Sequence, residues 1–234
     1  MNTEGTFVGA NALIVGASGA LGSRIAEQLA AAGANLTLVG RREDALTAAA
    51  SSAPAGRVRR VVTDLRDPAM IDAAVAEACG STGKLDLVVN AMGIVAFGAV
   101  TDLDTDVVEE LFLTNAFGAI FLSKAALPVM NEGGTIASIS GVIAEQNMPG
   151  MAAYGASKAA LRSFNEGFAR EARRQKVRVL DVRPPHTETG LVDRAIAGTA
   201  PKFPAGLNPD AVATTIVNAL ADPSVKDLPA DQFS

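Results

Sequence analysis

Two side chains that can carry out proton chemistry, Tyr154 and Lys158, stand four residues apart in the segment Tyr-Gly-Ala-Ser-Lys. On a helix this spacing places the phenol and the ammonium on one face. An ordinary tyrosine has a pKa near ~10, and a nearby cation stabilises the phenolate, so the pair is suited to acid or base catalysis near neutrality. The same spacing also occurs on solvated helix faces, so the surrounding elements must decide between the two interpretations.

A glycine-rich turn stands near the start of the chain, between an apolar run over 12–15 and an alanine-rich helical pattern over 20–32. Glycines at such a turn permit a tight bend, close approach of a phosphate and close packing of helix on strand. We expect this turn to bind a dinucleotide, with a purely structural turn as the alternative. The contact residues predicted there are Gly16, Ser18, Gly19, Ala20, Leu21 and Gly22.

The residues after the second apolar run favour NADP(H) over NAD(H). An NAD-preferring site usually carries an acidic residue at this point for the ribose hydroxyls, whereas this chain has Arg41 and Arg42, two cations suited to a 2′-phosphate. Asp64 follows the third run and is placed to meet the adenine side. Alternatively, the arginines open the next helix in solvent and Asp64 caps a helix. NADP(H) is the predicted cofactor, and NAD(H) remains possible.

Apolar runs and helical patterns alternate along the chain, which predicts an α/β fold: a single Rossmann-like domain over 1–234 with a doubly wound parallel sheet and helices on both faces. The strands are predicted over 12–15, 36–39, 58–62, 85–89, 135–139 and 177–182. The helices are predicted over 20–32, 43–52, 67–79, 105–130, 151–175 and 208–221. Residues 183–207, rich in proline and glycine, interrupt this rhythm and are predicted to form a substrate loop.

Composition excludes several other classes of protein. The chain has 234 residues, 49% of them hydrophobic, and a net charge of −5 without a basic cluster, so nucleic acid is not expected as a partner. No uninterrupted apolar stretch reaches about 18 residues, so we expect no membrane span. The lone Cys79 cannot form an internal disulfide and no charged-then-apolar leader precedes the first strand, so we expect a cytoplasmic protein. No metal-ligand spacing is present, and we expect no metal.

Taken in order along the chain, these motifs resemble the short-chain dehydrogenase/reductase family over nearly the whole sequence. The matching segments are Gly16 to Gly22, Asp64-Leu65, Asn90-Ala91-Met92-Gly93, Asn115 to Gly118, Ser138 to Ser140, Tyr154 to Lys158, and Pro184-Pro185 with Thr187 and Thr189. The resemblance implies an oxidoreductase that interconverts a small-molecule carbonyl and an alcohol. It also implies a homodimer or homotetramer paired through the helices over 105–130 and 151–175.

The family mechanism assigns roles to the matching positions. Tyr154 would exchange the proton, and Lys158 would lower the pKa of that tyrosine and bind the nicotinamide ribose. Asn115 would help hold a water that links the lysine to solvent. Tyr154 is expected to contact the cofactor as well, and the remaining cofactor contacts implied by the resemblance are Leu65, Asn90, Ala91, Gly93, Pro184, Thr187 and Thr189.

The sequence departs from the family pattern at the serine that would bind the substrate oxygen. Its usual distance from Tyr154 leads to Gly141, with Ser140 one residue earlier. Adjacent strand residues face opposite sides, so Ser140 is predicted to be catalytic only if the chain bulges there. Otherwise the protein is a dinucleotide-binding, catalytically impaired sensor or interaction protein. His186 is placed in the substrate loop, and the final strand is expected to be shortened near 226–228 or absent.

Overall fold

A computed structural model describes residues 5–51 and 56–233 of the chain. These residues build one seven-stranded sheet in which every neighbouring pair of strands is parallel and the strand order is β3-β2-β1-β4-β5-β6-β7. The strands are β1 (Asn11–Val15), β2 (Asn35–Gly40), β3 (Val58–Val62), β4 (Leu85–Asn90), β5 (Met130–Ile139), β6 (Arg178–Val182) and β7 (Asp227–Leu228). The order reverses direction between β1 and β4, which is where open parallel sheets bind their ligands.

Within the described residues, seven α-helices surround the sheet. They are α1 (Ala20–Ala31), α2 (Glu43–Ala50), α3 (Pro68–Cys79), α4 (Thr105–Phe112), α5 (Gly118–Ala126), α6 (Ala152–Ala172) and α7 (Pro209–Ala221). Asp67 caps α3 by accepting from the backbone amides of Ala69 and Met70, and Asn208 caps α7 in the same way. The sequence therefore encodes where these two helices begin.

The core is divided into two apolar layers by the sheet. Ile14 of β1 packs in the layer that contains α1 and α7, whereas Leu13 packs in the layer that contains α3, α5 and α6. This alternation follows from the period of a strand and explains why nearly every residue of β1 is apolar. Cys79 is buried in the second layer, and burial raises the pKa of its thiol, in agreement with a structural role.

The predicted architecture is confirmed, and several element bounds differ. The helix predicted over 105–130 is divided, because a turn of π-helix at Leu113–Phe117 separates α4 from α5. The strand predicted over 135–139 begins five residues earlier, at Met130. The last strand is shortened to Asp227–Leu228 at the edge of the sheet, as predicted. Position 52 of the helix predicted over 43–52 lies outside the described residues.

The segment Thr105–Val129 is long and apolar enough to span a membrane by length and composition alone, with a mean hydropathy of 1.4 in its most apolar window. In the fold, Leu122 and Ala126 of this segment lie in the apolar layer beneath the sheet, together with residues of α3 and α6. Helices buried in a protein core pass the same composition test. The packing therefore accounts for the apolar character of the segment.

Candidate active site

The predicted site residues gather at one edge of the sheet, where the carboxyl ends of the parallel strands meet. Gly16 follows β1, Arg41 follows β2 and Asp64 lies two residues beyond β3, while Asn90 ends β4 and Ser140 follows β5. In register, Asn90 stands beside Val15 of β1 and Ser138 of β5. The central strands thus bring the glycine turn and the β4 motif side by side, as the topology requires.

The glycine turn leaves no space for a side chain at Gly16 or at Gly22. Gly16 has a φ of 75°, and a Cβ atom added there would lie 2.8 Å from the backbone nitrogen of Met92. A Cβ atom on Gly22 would lie 2.2 Å from the carbonyl oxygen of Gly16. Both distances are shorter than carbon contacts permit, so these positions require glycine for the backbone approach itself.

Helix α1 begins without a side-chain cap, unlike α3 and α7. Its N-cap residue is Gly19, and no side chain accepts a hydrogen bond from the first turn formed by Ala20, Leu21 and Gly22. Ser18 lies beside Gly40 at the end of β2, since a Cβ on that glycine would be 3.2 Å from the Ser18 hydroxyl. Free backbone amides at the positive end of a helix dipole bind phosphate groups. The open helix terminus and the glycine cradle fit a dinucleotide pyrophosphate.

The β4 motif connects this cradle to the catalytic candidates. Asn90 is buried and its Oδ1 accepts from the backbone nitrogen of Met92, which fixes the turn after the strand. Ala91 donates its backbone amide to Val15. A Cβ atom on Gly93 would lie 3.1 Å from the Nζ atom of Lys158. The glycine thus admits the lysine to the edge of the cofactor cradle.

Tyr154 and Lys158 project from the first two turns of α6. The side chain of Lys158 is buried, and its ammonium donates a hydrogen bond to the carbonyl of Ile139 at 2.9 Å. Tyr154 packs against two small apolar clusters, the first around Phe97 and Ile143 and the second around Ile94 and Leu111. Helix α6 therefore places the ammonium at the end of β5 and the tyrosine ring against the segment that follows β4.

The pKa of Tyr154 differs from the expectation. Burial raises the pKa of Tyr154 to about 12, and no lowering by Lys158 accompanies it. Burial also lowers the pKa of Lys158 to about 8, partly opposed by the negative charge of Asp181. The prediction that Lys158 depresses the tyrosine pKa is wrong for this geometry, because removal of the phenol from water outweighs any attraction to the ammonium. At neutral pH the phenol holds its proton.

Asn115 lies in the π-helical turn between α4 and α5 and is buried. Its amide nitrogen donates to the carbonyl of Ile94 at 3.0 Å and to the hydroxyl of Ser157 at 2.9 Å, and its Oδ1 accepts from the backbone nitrogen of Ile94. These bonds fasten the segment after β4 to α6. The side chain keeps one Oδ1 lone pair for the water predicted at this position.

Ser140 lies at an irregular end of β5, where the backbone nitrogens of both Ser140 and Gly141 donate to the carbonyl of Val182. Gly141 has a φ of 80°, which strand residues do not adopt, so the regular strand conformation has ended by this residue. The hydroxyl of Ser140, however, donates to Asp181 at 3.0 Å and is fully buried. Among the described residues no hydrogen bond joins Ser140 to Tyr154. The catalytic role predicted for Ser140 gains no support from these contacts.

A buried polar network behind Ser140 was not predicted from the sequence. Asp181 accepts from Asn165 at 2.7 Å and from the guanidinium of Arg183 at 2.6 Å, and Arg183 also binds Asp227 of the edge strand. The carboxylate of Glu145 lies 3.0 Å from Nε of Arg183 and extends this network. The only sequence signal was the presence of charged residues inside the otherwise apolar segment of β6.

A cavity beside the glycine cradle is lined by Arg41, Asp64, Arg66, Gly93 and Thr114, among other residues. Leu65 is buried beside it and lies within contact distance of a Cβ atom added to Gly118. Arg42 does not line this cavity. It stands at the N-cap of α2 with a 72% exposed side chain, 3.9 Å from Asp44. The sequence predicts that both arginines bind a 2′-phosphate, but only Arg41 lines the cavity.

The segment over 183–207 folds across the Tyr154 end of the sheet. The backbone nitrogen of Phe97 donates to Ala197, and that of Ile196 donates to Val95, which fastens the segment to the chain after β4. Phe203 packs on Phe97 and stacks on the ring of His186 at 4.9 Å. The segment thus covers the apolar cluster that contains Tyr154.

The predicted cofactor contacts of this segment lie at its beginning. Pro184 accepts a hydrogen bond from Val142 through its carbonyl oxygen. Thr187 donates its hydroxyl to Pro185 at 2.9 Å, and the Thr189 hydroxyl accepts from Leu191. These bonds stabilise the turn after β6. No cluster of three or more His, Cys, Asp or Glu side chains within the described ranges is arranged to hold a metal ion.

Comparisons with known proteins agree with this geometry. The family model described as short chain dehydrogenase matches residues 10–199. An oxidoreductase of Staphylococcus aureus strain MRSA252 is 31% identical over 218 residues, which cover 91% of each chain. Dehydrogenase/reductase SDR family member 7B of Bos taurus is 33% identical over 201 residues, which cover 82% of this chain and 62% of that protein.

Solved structures show the same likeness. The short chain dehydrogenase of Burkholderia cenocepacia J2315, in complex with NADP, aligns with a TM-score of 0.86 at 27% identity and covers 97% of this chain and 98% of that one. A dehydrogenase/reductase of Sinorhizobium meliloti 1021 aligns with a TM-score of 0.86 at 26% identity, with 97% and 96% coverage. The chain belongs to the short-chain dehydrogenase/reductase family of NAD(P)-binding oxidoreductases.

Proposed function

We propose that this protein is an NADP(H)-dependent oxidoreductase that interconverts a carbonyl and an alcohol with Tyr154 as the acid or base. The observation that carries the proposal is the meeting of Lys158 with the cofactor cradle at Gly93, one helical turn from Tyr154. Family membership supports the reaction class. The cradle of Gly16 and Gly22 and the open start of α1 would hold the pyrophosphate, and NAD(P) would supply or accept hydride when bound.

The proton chemistry rests on the side chains of this chain. With a pKa of about 12, the phenol of Tyr154 is protonated at neutral pH and can donate to the oxygen of a carbonyl substrate. Lys158 holds its ammonium against the carbonyl of Ile139, where it would bind ribose hydroxyls and supply a proton to replace the one that Tyr154 gives up. Asn115 positions this region by fastening Ile94 to Ser157. This arrangement favours reduction at neutral pH.

The surroundings of Tyr154 indicate the kind of substrate. The clusters that contact Tyr154 consist of aliphatic and phenylalanine side chains, including Val95, Phe97, Met151 and Phe203. An apolar wall binds an apolar molecule because both surfaces leave water. We infer an apolar aldehyde, ketone or secondary alcohol, with residues 183–207 as the substrate loop.

A panel of apolar ketones and alcohols tests the function, with NADPH or NADP⁺ and with wild type compared with Tyr154→Phe. The competing function is a dinucleotide-binding protein that does not catalyse, which Gly141 favours because it replaces the expected serine. Turnover that depends on Tyr154 supports the enzyme. Dinucleotide binding without turnover on any member of the panel supports the competing function.

The preference for NADPH depends on Arg41 in this proposal. Removing a guanidinium that contacts the 2′-phosphate costs about 1.5–3 kcal/mol, so Arg41→Ala should weaken NADPH about 10- to 100-fold and leave NADH nearly unchanged. Arg42→Ala is the matched control and should have a small effect on both, because Arg42 is exposed and does not line the cavity. Calorimetric titration measures the affinities. Equal losses for the two dinucleotides in Arg41→Ala would refute the assignment.

Ser140→Ala tests whether the serine acts on the substrate or on the fold. Because the hydroxyl donates to Asp181, we expect a loss of about 1–3 kcal/mol in the free energy of unfolding and less than about a tenfold change in kcat. Denaturant titration and steady-state kinetics provide the two values. A fall in kcat of about 100-fold or more, with unchanged stability, would restore the catalytic assignment.

The proposed assembly is a cytoplasmic homodimer or homotetramer. Phe117, which is 44% exposed, stands between α4 and α5 and packs on Phe121 with ring centroids 6.5 Å apart. An exposed aromatic ring of this kind is typical of surfaces that pair subunits.

A further inference from the structure

Arg66 lines the cavity that would receive the adenine ring, together with Arg41 and Asp64. It lies two residues after Asp64, between the end of β3 and the start of α3. Its side chain is 40% exposed, so a ligand in the cavity can reach it.

Two carboxylates already occupy the edge of this guanidinium. Nε donates to Oδ1 of Asp64 at 2.9 Å, and Nη2 donates to Oδ2 of the same carboxylate. Nη1 donates to Oε2 of Glu110 on α4 at 2.9 Å. Each nitrogen of Arg66 therefore has an anionic partner, and these bonds hold the plane of the guanidinium between β3 and α4.

The same contacts make Arg66 a poor ligand for a phosphate. Asp64 and Glu110 together carry more negative charge than Arg66 carries positive charge, so the guanidinium of Arg66 has no unneutralised charge to offer a phosphate. Arg41 is close enough to lower the pKa of Asp64 by its charge, but it has no comparable pair of carboxylate bonds among the described residues. Arg41 is thus the better ligand for a 2′-phosphate, and Arg66 retains a different property.

That property is a flat, weakly hydrated face. A guanidinium whose edge is occupied still stacks on aromatic rings through its face, with a contribution of about 0.5–2 kcal/mol. We infer that Arg66, positioned by Asp64 and Glu110, stacks on the adenine ring of the dinucleotide. In this arrangement Asp64 holds the guanidinium plane of Arg66 in position. The inference rests on the proposed function, since it requires that the cradle bind a dinucleotide.

The decisive variant is Arg66→Lys, which keeps the charge and removes the flat face. We expect it to weaken NADPH and NADH by the same factor, about 3- to 10-fold, in calorimetric titrations. Nicotinamide mononucleotide, which lacks adenine, should bind the variant as it binds wild type. Arg41→Ala provides the contrast, because its loss should fall on NADPH alone.

Three results would overturn the inference: unchanged affinity of Arg66→Lys for both dinucleotides, a loss confined to NADPH, or an equal loss for the mononucleotide. Glu110→Gln keeps Arg66 in the chain and removes one of its carboxylate partners, so it should weaken both dinucleotides equally and by a smaller factor. Unchanged affinity in that variant would remove the positioning role of Glu110. If wild type binds neither dinucleotide, the proposed function itself fails, which is a separate result from failure of Arg66→Lys.

Discussion

Tyr154→Phe is expected to lower kcat by roughly 10²–10⁴-fold while leaving the affinity for NADPH nearly unchanged. The substitution removes only the phenolic oxygen, and the ring keeps its packing against the clusters around Phe97 and Ile94. The carbonyl oxygen of the substrate then has no proton donor among the groups proposed to act on it. Steady-state kinetics give kcat, and calorimetric titration gives the affinity for NADPH.

The ionisation of Tyr154 can be measured directly in this protein. Tyr154 is the only tyrosine and there is no tryptophan, so ultraviolet absorbance of tyrosinate reports on this residue alone. With a pKa of about 12 in the free protein, Tyr154 should show almost no tyrosinate signal below about pH 10.5. A Tyr154→Phe variant with wild-type kcat would remove the tyrosine from the mechanism. Ionisation near neutral pH in the free protein would contradict the effect attributed to burial.

Lys158→Met is expected to lose turnover and gain stability. Folding buries the Lys158 ammonium and lowers its pKa from 10.5 to about 8, which corresponds to a cost of about 3 kcal/mol at neutral pH. Methionine removes that cost but leaves the carbonyl of Ile139 without its partner, at about 1 kcal/mol. We therefore expect a net gain of about 2 kcal/mol in the free energy of unfolding, with kcat reduced by about 10²-fold or more.

The difference in the free energy of unfolding between wild type and Lys158→Met should depend on pH in a defined direction. Because the folded-state pKa of Lys158 lies below the unfolded value, the folded form loses its proton first, and wild type gains stability as the pH rises from about 8 to about 10.5. The advantage of Lys158→Met should therefore shrink over that interval. Reduction by wild type should slow over the same range as the ammonium is lost. Denaturant titrations at both ends of the interval test this, and a variant less stable than wild type at neutral pH would contradict it.

The parts of the fold that could be predicted are those set by local periodicity and backbone constraints. The apolar runs and alternating helices predict the parallel sheet, since buried strands and amphipathic helices have different periods. The glycine turn was identifiable from the sequence because its backbone conformation requires glycine. At Gly16 and Gly22 any side chain would collide with the backbone. The spacing of Tyr154 and Lys158 reports a shared helix face directly.

What could not be predicted depends on partners that are distant in sequence. Ser140 donates to Asp181, which lies 41 residues further along the chain on the neighbouring strand, and the register of β5 and β6 decides that pairing. Arg66 receives its second carboxylate from Glu110, 44 residues away. The π-helical turn at Leu113–Phe117 divides one continuous apolar segment that the sequence predicts as a single helix. The raised pKa of Tyr154 follows from packing that only the folded chain provides.

Transfer of deuterium tests the central claim most directly. NADPH deuterated at the transferable position of its nicotinamide is incubated with wild type and a panel of apolar ketones and aldehydes, and the products are examined by mass spectrometry. We predict an alcohol that carries one deuterium at the former carbonyl carbon, formed with wild type and lost with Tyr154→Phe. Tight binding of NADPH with no deuterated alcohol from any member of the panel would contradict the account and leave a binding protein in its place.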